Sequence, residues 1–237
     1  MRFTQMATLA FVLAGCASWR AAPLSQSNQL KPATANAPAF YFATLEANYF
    51  GARGRLKGEL GLIVASPDRL LIEIRGPGGQ PVSTFACDGD AVTLFELEGP
   101  RFYTGPANPI TMARLLPLPL EPTIAVALLR GQLPMPQTAK AYRTKGKGQQ
   151  IEGEHPTLGR LLVTRYAPDH WLWELPDEPL RIEFKDPGPK GIFRDILIKT
   201  AKDDVRLKLS DLQMDGDPPS ADVFRLKAPA GVTVQAL

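Results

Sequence analysis

The chain has 237 residues, 44 % of them hydrophobic, enough to bury one substantial core and so to form a single folded domain. Its 27 Lys and Arg stand against 24 Asp and Glu, a formal charge of +3. That balance is too near neutral to argue for nucleic acid as a partner, and no later apolar run is long enough to cross a membrane as a helix.

At the N-terminus Arg2 precedes a short apolar run, Met6 to Ala14, that ends in Leu13-Ala14-Gly15-Cys16. A positive start, an apolar stretch too short to span a bilayer and two small residues before a cysteine are the pattern of a bacterial lipoprotein signal. Residues 1–15 are then a cleaved signal peptide. Cys16 becomes a lipidated N-terminus, whose two or three acyl chains meet the requirement of stable anchoring for more than one chain. The competing reading is an ordinary cleaved signal in which Cys16 is incidental. Ala17 follows, not the aspartate that in enteric bacteria favours retention in the inner membrane, so the expected residence is the outer membrane, facing the periplasm. Residues 16–38, rich in Ala, Ser, Gln, Asn and Pro, read as a flexible tether whose ends lie roughly 25 Å apart as a coil.

Residues 39–237 form the folded domain, and from Phe40 onward period two dominates. Leu56, Gly58, Leu60, Leu62 and Val64 alternate with Arg55, Lys57, Glu59, Gly61 and Ile63, which puts one set on a dry face and the other on a wet one. The rhythm returns in Leu70, Ile72 and Ile74, in Ile182 and Phe184, and in Val205, Leu207 and Leu209. Turn residues separate the runs at Ser66-Pro67-Asp68, Pro77-Gly78-Gly79, Asp88-Gly89-Asp90, Gly99-Pro100, Gly146-Lys147-Gly148, Asp186-Pro187-Gly188 and Lys202-Asp203-Asp204. Short strands with tight links predict an antiparallel meander.

Two helices interrupt it. Asn108 caps the first, with Pro109 at its first position, and Glu121-Pro122 starts a second that runs through Ile124 and Leu128 to Arg130, with Gly131 as its stop. The second is apolar almost all round, so it must be covered on several sides. The fold class expected is mainly β (α+β): an open antiparallel half-barrel of about ten or eleven strands with a short helical lid.

Several residues invite a catalytic or ligand role and have simpler readings. His155 and His170 are not in metal-ligand spacing, and no nucleophile elbow, zincin helix or phosphate loop is present. Asp215-Gly216-Asp217 before two prolines reads as a turn, as does Asp203-Asp204. With Cys16 acylated, Cys87 has no disulfide partner and reads as a small buried strand residue. Lys140, Arg143, Lys145 and Lys147 gather near a hairpin tip and suit either acidic headgroups or plain solvation. No enzyme activity, metal or cofactor is expected.

With these elements placed, Gly54-Arg55-Leu56, Arg69-Leu70-Leu71-Ile72-Glu73-Ile74-Arg75-Gly76-Pro77-Gly78-Gly79, Leu116-Pro117-Leu118-Pro119 and Leu129-Arg130-Gly131-Gln132-Leu133-Pro134 resemble the LolB family of outer-membrane lipoprotein receptors and their LolB-like relatives. The ending Phe224 to Val232 is similar to the close of such domains. The resemblance covers about a third of the chain. It implies a hydrophobic cavity for the acyl chains of lipoproteins, which arrive from a periplasmic LolA-like carrier and pass to the outer membrane, and a monomeric protein. The lining residues would be Leu60, Leu62, Leu70, Ile72 and Ile74 from the sheet and Ile124 and Leu128 from the lid, with Trp171 and Trp173 sharing one strand face. LolB proteins carry a bulky hydrophobic residue on the loop after the strand matching Leu70 to Arg75, where it touches the membrane; this chain has Gly78 there. Apolar alternation reports a buried face and not an empty one. A non-transporting structural or interaction lipoprotein of the cell envelope, with the same scaffold and a filled core, is therefore the alternative.

Overall fold

The alternating segments pair into one continuous sheet in a computed structural model that describes residues 37–237 except 53, 77, 117, 146 and 147, with the backbone alone for 139–145. A first meander comprises β1 (Phe40–Gly51), β2 (Gly54–Ala65), β3 (Arg69–Arg75), β4 (Pro81–Cys87), β5 (Ala91–Glu96) and β6 (Arg101–Pro106). Helices α1 (Pro109–Leu115) and α2 (Pro122–Leu129) follow. A second meander comprises β7 (Thr138–Lys145), β8 (Gly148–His155), β9 (Gly159–Ala167), β10 (His170–Leu175), β11 (Leu180–Pro187), β12 (Phe193–Lys199) and β13 (Asp204–Gln213). The short β14 (Val234–Ala236) pairs in parallel with β6 at one edge. The spatial order β14-β6-β5-β4-β3-β2-β1-β13-β12-β11-β10-β9-β8-β7 shows that the meanders join back to back through β1 and β13.

Among the described residues the strands number fourteen, against the ten or eleven expected from the rhythm. The surplus includes β14, three residues long and paired in parallel, which leaves no period-two signal.

Residues opposite one another in an antiparallel ladder share a face. Leu62 stands opposite Ala43 and Ile72, Val64 opposite Tyr41 and Leu70, and Ile72 opposite Phe85, which defines the inner face. The outer face carries ion pairs within and between strands. Arg75 bonds Glu59 at 3.0 Å and Glu73 at 2.7 Å, and the Arg206 guanidinium grips both oxygens of Asp195.

Both helices lie against the inner face for reasons legible in sequence. The Asn108 side chain accepts from the Thr111 amide at 2.9 Å and Pro109 takes the first position. Helix α2 buries Ala125, Val126 and Leu128, packs on β2 and β3 and ends at Gly131. Two bonds staple its end to the start of β1: the Tyr41 hydroxyl donates to the Leu129 carbonyl at 3.0 Å, and the buried Arg130 donates through Nε to the Pro38 carbonyl at 2.7 Å. One contiguous core results, containing Tyr41, Leu70, Phe85, Val126, Trp173 and Phe184.

Gly131 has φ +72°, and a Cβ there would come within 2.1 Å of the Gly191 carbonyl oxygen. Gly131→Ala therefore combines an unfavourable left-handed backbone with a clash against main chain. It is expected to lower stability by more than about 2 kcal/mol, read from the urea midpoint.

The C-terminal segment crosses the outside of the first meander. A 3₁₀ turn, Ala221–Phe224, contacts β3 and β4 with Phe224 fully buried, where Ala86 and Thr93 on the outer face are covered. Arg225 then bonds Asp88, and the Leu237 amide donates to the Thr104 carbonyl at 2.9 Å.

Candidate functional site

The ends of the sheet differ. Call upper the end that carries the β1–β2 turn, the β3–β4 loop, the β5–β6 turn and the β12–β13 turn; β1 enters at the lower end. Along the inner face burial falls from lower to upper on three adjacent strands. On β2 it runs from Val64, fully buried, through Leu62 and the half-buried Leu60 to Leu56, 55 % exposed. On β3 it runs from Leu70 through the half-buried Ile72 to Ile74, 38 % exposed. On β1 Tyr41, Ala43 and Leu45 are buried, whereas Ala47 and Tyr49 are half-buried. The cause is α2, whose last turn is stapled at the lower end. The upper inner face is left as an apolar trough.

Beside the trough, the α1–α2 connection bounds a groove of about 210 Å³. Leu116, Leu118 and Pro119 form one wall, Pro179 and Leu180 another, and Lys202 and Asp203 stand at its rim. A bond joins groove to trough: the Tyr49 hydroxyl donates to Asp203 Oδ1 at 2.6 Å, tying β1 to the β12–β13 turn. A Cβ on Gly51 would fall 2.1 Å from that oxygen, so any larger residue there would push the Asp203 and Tyr49 side chains aside. The groove is smaller than the roughly 300–1,000 Å³ of an ordinary ligand pocket. Two acyl chains would need the helical connection to move.

The residues expected to line a cavity divide in two. Leu62, Leu70, Leu128, Trp171 and Trp173 sit in the packed core, each 5 % exposed or less. Trp173 donates its indole N–H to the Pro134 carbonyl at 3.1 Å, and the Arg165 guanidinium lies 5.3 Å from the Trp171 ring centre. Leu60, Ile72, Ile74 and Ile124 are the partly covered members. The first three of these lie on the trough itself. Gly78 lies in the β3–β4 loop at the upper end, and a Cβ there would meet the Gln80 side-chain oxygen at 2.6 Å. Cys16 lies outside the described residues, as do the side chains of Lys140, Arg143 and Lys145 and all of Lys147. Sequence reasoning missed Tyr49 with Asp203, 154 residues apart; neither residue signals the other.

His170 and His155 have structural partners. His170 Nε2 lies 2.6 Å from Glu183 on the outer face, and His155 Nδ1 accepts from the Thr157 amide at 3.3 Å. Burial pushes the Cys87 thiol up to about 11, which leaves it protonated and unreactive at neutral pH. Among the described residues no group of His, Cys, Asp and Glu is placed to hold a metal ion, and no helix is long and apolar enough to cross a membrane.

Among the described residues, three carboxylates are held below their usual values. The Arg206 fork holds Asp195 below the ordinary carboxylate range against partial burial. Partial burial raises Glu183 and Asp88. For Glu183, hydrogen bonds from Lys185 and His170 outweigh it. For Asp88, hydrogen bonds from the Ala91 and Asp90 amides and from Arg225 outweigh it, and both end below their usual values. A carboxyl whose folded value is depressed stabilises the fold above its unfolded value, about 4, and that contribution is lost as pH falls through the folded value. The thermal midpoint is expected to drop on acidification below about pH 4, less steeply for Asp88→Asn.

No family model matches the sequence, and no curated protein matches it. Among solved structures the chain is similar to a LolA superfamily protein from Nitrosomonas europaea, with 10 % identity over 86 % of this chain and 99 % of that one, at a TM-score of 0.50. This chain has the LolA-like fold. A second similar structure is described as a putative outer membrane lipoprotein-sorting protein domain from Vibrio parahaemolyticus, with 10 % identity over 78 % of this chain and 88 % of that one, at a TM-score of 0.46. At 10 % identity the likeness to the first is one of fold alone. The trough lies on the inner face of the sheet beyond the reach of α2, and the groove lies against the α1–α2 connection.

Proposed function

We propose that this chain is an envelope lipoprotein, anchored in the outer membrane through lipid on Cys16 and facing the periplasm. Its trough and groove take the acyl chains of a lipid or lipoprotein, as the LolB-like sequence features imply, and so assist lipoprotein localisation. The cargo would come from a periplasmic LolA-like carrier. The observation that carries this reading is the stepwise loss of burial along the inner faces of β1, β2 and β3, which leaves apolar side chains uncovered beside the α1–α2 connection. Each methylene taken from water contributes about 0.8 kcal/mol. The protein makes and breaks no covalent bond in this role; it holds cargo by burial and releases it when the α1–α2 connection lifts.

The packed lower half of the core favours a second reading, a structural lipoprotein that carries no cargo. One preparation separates them. The chain from Ala17 on keeps every described residue, and it is purified and extracted for mass spectrometry. Stoichiometric phospholipid or lipopeptide is the expected result. A clean protein that also ignores fluorescent acyl probes would leave only the scaffold role.

A further inference from the structure

The large apolar side chains left exposed among the described residues are Phe50, Leu56, Ile74, Leu97, Ile110 and Val234. Isolated exposed apolar residues are ordinary; their grouping is what counts. Five of these six lie at the upper end. Phe50 and Leu56 flank the β1–β2 turn, and Ile74 is one residue from the end of β3. Leu97 follows β5, and Val234 pairs with Phe102 near the start of β6. Only Ile110, in α1, stands elsewhere. The most prominent of the five is Phe50, 67 % exposed, on the outer face beside a turn where polar residues would be usual.

Positive charge accompanies the apolar rim on its β2 side, whereas Asp204 faces Phe50 from β13 and Leu97 stands between Glu96 and Glu98. From Phe50 to Gly58 the sequence has no carboxylate, and it carries Arg55 and Lys57 as strand residues. Both are exposed, and among the described residues neither has a carboxylate partner. An apolar tip flanked by unpaired cations on long aliphatic stems suits a bilayer with anionic headgroups: rings enter the acyl boundary while the cations stay at headgroup level. We propose that this upper rim, led by Phe50 with Arg55 and Lys57, is a docking surface for an anionic lipid bilayer.

The chain's length permits docking on the membrane that would hold Cys16. The sheet is entered at the opposite end, at Phe40, and β1 spans about 40 Å over its twelve residues. The 23 residues between Cys16 and Phe40 can reach at most about 80 Å. Docking by this rim also sets the trough, which opens at the same end, against the lipid surface. That last consequence rests on the acyl-binding reading; the docking itself does not.

The test uses the chain from Ala17 on, so that no lipid anchor supplies the attachment, and floats it with vesicles of phosphatidylglycerol and phosphatidylethanolamine or of phosphatidylcholine alone. Partition onto the anionic vesicles is expected. Phe50→Ser should weaken it by about tenfold or more. Arg55→Gln with Lys57→Gln should weaken it on anionic vesicles by roughly fivefold per cation and leave phosphatidylcholine unchanged. Neither variant touches the trough, so fluorescent acyl-probe binding should stay as in the parent. A parent that stays off the vesicles, or a Phe50→Ser form that partitions like it, overturns the proposal. So does a dimer that Phe50→Ser dissociates, which would make the rim a contact between copies. Loss of probe binding with intact flotation would sink the acyl-binding reading alone.

Discussion

Trp173→Ala is expected to remove about 3–5 kcal/mol of stability, measured as a shift of the denaturant midpoint at unchanged slope. The ring is fully buried on the inner face of β10, opposite Val163 on β9 and Ile182 on β11. Truncation leaves a void among side chains that belong to three strands and cannot collapse together. It also deprives the Pro134 carbonyl of its indole donor. Pro134 belongs to the segment that leads from α2 to β7, so the variant should loosen the lid's exit as well as the core. Faster amide exchange around residues 129–137 would accompany the midpoint shift. A midpoint within about 1 kcal/mol of the parent would mean that the ring stands in space the fold does not need filled.

Ile74→Arg should have the opposite profile. Ile74 shares strand and face with Leu70, but it is 38 % exposed where Leu70 is buried. An arginine at Leu70 would bury a charge without a partner and is expected to unfold the domain. At Ile74 the long side chain stays solvated, so the thermal midpoint should move by only a few degrees. A guanidinium over the trough would nevertheless hold water where an acyl chain must lie. Binding of a fluorescent fatty-acid probe is therefore expected to weaken by at least tenfold, about 1.4 kcal/mol. Unchanged probe affinity in a folded Ile74→Arg protein would move the acyl site elsewhere or abolish it.

The contrast between Leu70 and Ile74 also marks where the sequence stops being informative. Period two correctly assigned both to one face, because alternation is a local consequence of backbone geometry. Which of them is covered depends on how far α2 reaches along the strands, and that is set by Tyr41 meeting Leu129 and Arg130 meeting Pro38, contacts 88 and 92 residues apart. Helix starts were legible from Asn108-Pro109 and Glu121-Pro122 for the same local reason. Cys87 was legible as an inert strand residue. The short parallel β14 left no period-two signal. The outer strap was hidden too, since Phe224 sits in a short turn whose partners, β3 and β4, lie far back in the chain. Phe50 left a trace, an aromatic directly before Gly51-Ala52-Arg53-Gly54, where a turn and two cations follow.

The seam between the two meanders has a kinetic consequence. Thr44 and Ser210, bonded across it, are 166 residues apart in the chain. A polypeptide that emerges from its N-terminus can zip β1 to β6 as it appears, but the free edge of β1 waits for almost the entire remainder to be delivered. Closure over such a separation is slow, and an unpaired edge recruits stray strands while it waits. Refolding should therefore show an early phase in which the first half is protected and a later one that seals the seam. The interval between them is when this chain is most prone to aggregate and most in need of a chaperone.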